Sequence, residues 1–293
     1  VVHPLHEIEV DEALARTLLR AQHPDLADLP LSPAGTGWDN AMWRLGDDLA
    51  LRLPVRALSA PLVEHEQRWL PVLAPLLPVA TPVPVRVGVP SDDYPWAWSV
   101  VPWFHAEPAW SVPVERRRAW VDDLADVLVA LHRPAPPDAP DNPFRGVPLP
   151  DDTALRERLD RLALPEADRV LALRADLVTA PAWDGPSLWL HGDPHPANLL
   201  VRDDRLHAVI DFGDLTSGDP ASDLSTAWLT FDADGRAALR DRLDHACGWD
   251  DALWRRARAW ALHLAVVLQM HPVDHPHLAA TGRRALAEAL DGA

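Results

Sequence analysis

The sequence predicts an α+β fold of two lobes, a small strand-rich N-terminal lobe followed by a larger helical one. Three observations carry this prediction. Strand patterns dominate before about residue 104: 41–45 and 49–53 flank a Gly46-Asp47-Asp48 turn, 82–89 alternates, and 96–103 is apolar. Beyond Trp110 the long segments have helical spacing instead. At 293 residues and 48% hydrophobic content, the chain has ample material for two cores. The boundary falls at an apolar strand, giving residues 1–103 as the N-terminal lobe and 104–293 as the C-terminal lobe.

Taken in order, residues 11–22 have helical periodicity and stop before Pro24. Residues 34–40 are turn-rich, and the strand–turn–strand of 41–53 ends at Pro54. Residues 62–77 have helical spacing, with Pro71 and Pro75 kinking or ending the helix. A long amphipathic helix is expected over 115–132, then a Pro-rich surface excursion over 133–150 and one or two helices over 151–179. Residues 188–190 form a short strand, and 199–202 with 206–210 form a hairpin. Helices are expected over 220–229, 236–247, 252–270 and 277–290.

Composition narrows the function. The formal net charge is −17, from 27 basic and 44 acidic residues. Such a surface disfavours nucleic acid and anionic membrane as partners and attracts a polycationic small molecule. No run of about 18 apolar residues marks a membrane span. Residues 1–10 do not have the pattern of a signal peptide. The single cysteine, Cys247, excludes an internal disulfide and is expected to be a small core or helix-end residue. A reducing, cytoplasmic setting is expected. Every basic residue is Arg, with no Lys in the chain.

The chemistry concentrates in His191-Gly192-Asp193-Pro194-His195-Pro196-Ala197-Asn198 and in Asp211-Phe212-Gly213-Asp214. Phosphoryl transfer needs a carboxylate to accept the proton of the attacking hydroxyl. It also needs an amide oxygen and a carboxylate to hold Mg²⁺ on the nucleotide phosphates. Asp193 sits five residues before Asn198, as a kinase base precedes its asparagine, and Asp211-Phe212-Gly213 follows on a later turn. Asp193 is therefore the candidate base, and Asn198 and Asp211 are the candidate metal ligands. His191, Asp193 and His195 also alternate like a metal-ligand cluster, but that reading leaves Asp211-Phe212-Gly213 without a role. Gly35, Thr36 and Gly37 precede the hairpin as a candidate phosphate loop whose backbone N–H groups cradle the phosphates.

These residues, with Gly218-Asp219-Pro220-Ala221-Ser222-Asp223-Leu224, resemble the aminoglycoside phosphotransferase family, whose fold is protein-kinase-like. The resemblance implies a kinase using ATP, or GTP, and Mg²⁺ to phosphorylate a small-molecule hydroxyl. It places Arg52 where the family has its phosphate-binding Lys, with Glu66 as its ion-pair partner. Arg grips phosphate bidentately, so the replacement is compatible with that role. It places the hinge that receives the base at Val101 to Trp103. His191 is read as pinning the loop, and His195 as either a phosphate contact or a loop residue. Asp223 is read as a brace, and Asp219 as a helix cap. Asp214, Asp232 and Asp234 are the candidate substrate contacts, suited to ammonium groups. The acidic charge favours an aminoglycoside or other basic antibiotic, with resistance as the associated role. A macrolide, a choline-like amine, an amino-sugar or homoserine stays open as substrate, as does a nucleotide-binding homologue without activity.

Overall fold

The computed structural model describes residues 6–36 and 39–291, with Thr36 given by its backbone alone. The chain forms two compact units. The first comprises Val1–Leu76, Ala80–His105 and Asp211–Leu215; the second comprises Leu77–Val79, Ala106–Ile210 and Thr216–Ala293.

In the first unit, α1 (Glu12–Gln22) starts at Asp11, whose side chain accepts the Leu14 N–H as an N-cap. Five antiparallel strands follow: β1 (Leu31–Thr36), β2 (Asn40–Leu45), β3 (Leu49–Pro54), β4 (Arg86–Gly88) and β5 (Trp98–Pro102). Their spatial order is β1-β2-β3-β5-β4. Between β3 and β4 lies α2 (Ala60–Leu73), with Pro71 inside its last turn. The period of two sorts the faces of β3 and β5. Leu51, Leu53, Trp98 and Val100 join Leu18 and Leu19 of α1 in one apolar core. Ala50, Arg52 and Ser99 point to the opposite face. There α2 contributes Glu66 to Arg52, and Gln67, which donates to Ser99 Oγ at 3.0 Å. The segment expected as one strand over 82–89 pairs only at β4. The turn-rich reading of 34–40 gives way to strand as far as Thr36, with a bulge between Pro33 and Gly35.

In the second unit, β6 (Glu107–Pro108), β8 (Leu199–Arg202) and β9 (Arg205–Val209) form one small sheet, and β7 (Leu188–Leu190) pairs with β10 (Thr216–Gly218). The β8–β9 turn is Asp203-Asp204, both at positive φ, as a two-residue hairpin loop requires. The helices are α3 (Val121–Leu131), α4 (Thr153–Leu162), α5 (Ala167–Leu177), α6 (Ala221–Leu224), α7 (Thr226–Thr230), α8 (Ala233–Cys247), α9 (Asp251–Val267) and α10 (Pro276–Asp291). The second half of α9, Ala259 to Val266, is buried at every position. An α-helix that is apolar all round belongs in an interior, and α4, α5, α6, α7 and α10 all pack on this one.

Two expected helices are broken. The segment 115–132 begins as a 3₁₀ stretch, Val114–Trp120, before α3. Arg117 is buried there and gives its guanidinium to the carbonyls of Val112, Thr230 and Trp110 at 2.9, 2.9 and 3.2 Å. The segment 220–229 divides at Ser225, whose hydroxyl bonds back to the Ser222 carbonyl at 2.6 Å. Cys247 is exposed at the end of α8. Among the described residues, no helix is long and apolar enough to cross a membrane.

Candidate active site

The loop between β7 and β8 carries Asp193, and three devices fix its backbone. Gly192 sits at φ 89°, where a Cβ is strained. His191 is buried and both ring nitrogens are used: Nδ1 accepts the Asp193 N–H at 3.1 Å, and Nε2 donates to the Ile210 carbonyl at 3.0 Å. Asp223 of α6 is fully buried and accepts the N–H groups of His191 and Gly192 at 2.8 and 2.9 Å. The same carboxylate lies 3.1 Å from His132 Nε2. The pinning and bracing roles read for His191 and Asp223 thus have explicit partners.

Asp193 itself is contacted by two cationic or donor groups. His195 Nδ1 accepts the Ala197 N–H at 3.2 Å, which leaves the Nε2 proton toward Asp193 Oδ2, 3.3 Å away. Arg145 donates to the Gly192 carbonyl at 2.6 Å and stands 3.5 Å from Asp193 Oδ1. Burial raises the cost of charge on Asp193, but His195, Arg145 and His191 outweigh it and hold the carboxyl well below the usual carboxylate range. Asp193 is therefore an anion throughout the neutral range, and a hydroxyl approaching it meets a fixed acceptor. Asn198 spends its Nδ2 on the Asp193 carbonyl at 2.9 Å.

In the first unit, Arg52 is buried and bridges two carboxylates: Nε lies 3.0 Å from Glu66 Oε2, and Nη2 lies 2.8 Å from Asp211 Oδ1. Burial opposes the charge on Arg52, and Glu66 and Asp211 more than restore it. Glu66 is pushed up to about 7, by burial first and by the Asp211 charge, against the attraction of Arg52. Asp211 adopts a left-handed backbone, φ 62° and ψ 66°, rare outside glycine and asparagine and typical of functional turns. Gly35 lies at φ 126° in the β1 bulge, a conformation a side chain disfavours. Gly37 and the Thr36 side chain lie outside the described residues.

The hinge candidates are placed on β5 and just beyond it. Val101 pairs with Ala50. The Trp103 N–H donates to the Asp48 carbonyl at 2.7 Å, so the donor expected for a base edge is engaged in the unit's own backbone. Arg44 stacks over the Trp103 ring at 4.5 Å. The substrate candidates divide. Asp214 closes the 3₁₀ turn Phe212–Asp214. Asp232 caps α8 through the Gly235 N–H, and both Asp232 and Asp234 pair with Arg118, at 3.0 and 2.7 Å. The acidic pair expected to await an ammonium group already holds a guanidinium. Asp219 accepts the Ala221 N–H at 3.0 Å and also pairs with Arg256 of α9 at 2.7 Å. Trp228, Trp254 and Trp260 are core residues.

Arg145 and Arg118 carry no signal in the sequence. Each reaches a partner far along the chain, from a Pro-rich stretch and from a 3₁₀ turn. Asn198 Oδ1 in the second unit and the Asp211 carboxylate in the first are each an oxygen donor of the kind Mg²⁺ takes. Among the described residues, no group of three or more His, Cys, Asp or Glu side chains gathers as a metal site.

A kinase-like α+β fold with a braced Asp–Asn loop defines a phosphotransferase. A family model confirms the class: the chain belongs to the phosphotransferase enzyme family (APH), matched over residues 30–260. Solved structures share the fold. A GDP complex of an aminoglycoside 2'-phosphotransferase-IIIa is 18% identical, with TM-score 0.67 over 96% of this chain and 99% of its own. The streptomycin–ATP ternary complex of APH(2")-IIa is 17% identical, with TM-score 0.60 over 96% and 98%. The macrolide 2'-phosphotransferase MphH from Brachybacterium faecium is 22% identical, with TM-score 0.61 over 96% and 98%. No curated protein sequence matches the chain.

Proposed function

We propose that the protein transfers the γ-phosphoryl group of ATP or GTP to a hydroxyl of a small molecule, with Mg²⁺, in the cytoplasm. The observation that carries this reading is the Asp193 loop. Its carboxylate is ionised, oriented by the His195 Nε2 proton and by Arg145, and backed by buried braces on both preceding peptides. Asp193 orients the substrate hydroxyl and takes its proton as the oxygen bonds to the γ-phosphorus. The bond from that phosphorus to the β,γ-bridging oxygen breaks, and the nucleoside diphosphate leaves. A carboxylate this acidic works more by fixing the attacking oxygen than by early proton removal.

The first unit serves the nucleotide in this proposal and the second the acceptor. Arg52, supported by Glu66, positions the phosphates; Gly35 to Gly37 cover them; Val101 and the carbonyl side of the hinge receive the base. Asn198 and Asp211 would hold Mg²⁺, which would supply neutralisation of phosphate charge. GDP and ATP, bound in two of the similar solved structures, support a purine triphosphate donor.

The net charge of −17 supports a cationic acceptor such as an aminoglycoside, met in part by Asp214. A second reading has a local observation in its favour. Arg118 occupies Asp232 and Asp234, and Arg145 stands beside Asp193, so both the expected ammonium site and the base already have a guanidinium beside them. A neutral or weakly basic hydroxyl compound, macrolide or metabolite, fits that setting better. Measuring ADP release across aminoglycosides, basic peptides, macrolides and small metabolites separates the two. Turnover confined to polycations refutes the second reading, and turnover confined to neutral compounds refutes the first. Asp193→Ala is expected to abolish turnover while ATP still binds. Retained turnover in that variant would sink the assignment of the base.

A further inference from the structure

A cavity of about 620 Å³ opens among α5, α7, α8 and α9, away from the Asp193 loop. Its walls include four arginines, Arg236, Arg240, Arg255 and Arg258, and three aspartates, Asp176, Asp241 and Asp251, with Trp228 and Trp254. The position is fixed by α10. The first turn of that helix holds His277, which stacks on Trp110 at 4.9 Å, and the Trp110 N–H donates to the Pro196 carbonyl of the Asp193 loop at 3.1 Å. The last turn lies at the cavity, where the Glu288 carboxylate pairs with Arg236 at 2.8 Å and the Ala289 carbonyl accepts from Arg258 at 2.8 Å. The helix has 16 residues, which spans about 24 Å. The cavity and the catalytic loop therefore lie at opposite ends of one rigid element.

The four guanidiniums are not equally satisfied. Arg236 has Glu288; Arg255 has Asp176 at 3.1 Å; Arg240 has Asp244 at 3.3 Å and Asp251. Arg258 bonds only to the Ala289 carbonyl through Nε, and no carboxylate lies within 4.0 Å of it among the described residues. Burial and the charges of Arg236, Arg169 and Arg255 bear against its charge, with Asp176 the one anion offsetting them. Arg236 and Arg240 lie over the rings of Trp228 and Trp254, at 5.6 and 5.5 Å. Both aromatic faces are thus already matched to cations.

A cationic ligand would find both rings already covered by guanidiniums and would leave Arg258 unanswered, since Asp176 and Asp251 are held by Arg255 and Arg240 and Asp241 is exposed to solvent. An apolar one would leave the Arg258 fork without an acceptor in a partly buried wall. An oxyanion supplies what is missing, since a guanidinium's N–H groups donate bidentately to a carboxylate or phosphate. The volume is that of a pocket for an organic molecule rather than for a bare ion. We propose that this cavity is a second, non-catalytic binding site for a small organic anion bearing carboxylate or phosphate groups, with Arg258 as its primary contact.

The test uses the full chain saturated with ADP and Mg²⁺, so that the nucleotide site is occupied. Radiolabelled citrate and inorganic phosphate are bound by equilibrium dialysis at constant ionic strength, with spermidine as the cationic control in a parallel melting titration. One citrate or phosphate per chain is expected, whichever binds more tightly naming the group, and spermidine is expected to give no saturable shift. Arg258→Gln is expected to weaken binding at least tenfold while ADP still protects. Ala237→Trp, which fills the cavity from an exposed position on α8 without replacing an arginine, is expected to do the same if Arg258→Gln does not fold. No saturable anion binding, or equal binding in the wild type and both variants, overturns the proposal. These readouts do not depend on turnover, so they stand apart from the acceptor assignment.

Discussion

At the scale of single residues, the consequential arrangement is the hydrogen bond from His195 to Asp193. Because His195 Nδ1 is occupied by a backbone N–H, the ring has one way to present its proton, toward the carboxylate. His195→Ala is expected to lower kcat about tenfold, the worth of one orienting bond of about 1.4 kcal/mol. The KM for nucleotide should hold, and steady-state kinetics at saturating ATP checks both. A second residue sets an acid limit. Burial, then Arg158, Arg145 and Arg174, push His263 down to about 3 from 6.5. A histidine with a lowered folded pKa contributes stability that is full above the unfolded value and is lost as pH falls toward the folded one. The window is therefore 6.5 down to about 3, and the loss at pH 5 is about 2 kcal/mol. Denaturant melts of wild type and His263→Gln at pH 7 and 5 should differ in this slope. Parallel curves would refute it.

At the scale of elements, α6 does more than its four residues suggest. Its Asp223 ties α3, through His132, to both peptides preceding Asp193. Asp223→Ala strands these donors in a dry interior, and a loss of about 3–5 kcal/mol is expected from equilibrium unfolding. The elements also show what could be read from sequence. The hairpin of β2 and β3 was legible because its alternation and turn are local, and Asp11 announced α1 as a cap does. The Asp193 loop was legible because its spacing is itself the chemistry. The break at Val114–Trp120 was not, since its cause is Arg117 reaching a carbonyl 113 residues away at Thr230. Arg145 was hidden for the same reason, and so was Arg118 at the acidic pair. In each case a long side chain from an unremarkable stretch decides the electrostatics of a distant one.

For the molecule as a whole, 27 arginines face 44 carboxylates, and much of that excess charge repels itself across the surface. Raising salt from about 20 to 150 mM shortens the range of that repulsion to about 8 Å. The many exposed Arg–Asp pairs lose little in return. The melting temperature should therefore rise, by about 2 °C, equivalent to roughly half to one kcal/mol for a chain of this size. A fall in melting temperature on adding salt would mean that the surface pairs outweigh the repulsion.

The bridge from Arg52 to Glu66 and Asp211 has one more consequence. Reagents that find nucleotide sites by acylating an amine beside the phosphates have nothing to react with, because no ε-amino group exists anywhere in the chain. An acyl-phosphate derivative of ATP should dock and leave unattached. A covalent inhibitor aimed at lysine would pass this protein by, and a dicarbonyl that condenses with guanidinium would have to displace two carboxylates from a buried side chain before it could form a bond. An arginine at position 52 thus makes the proposed nucleotide pocket chemically silent to amine-directed probes.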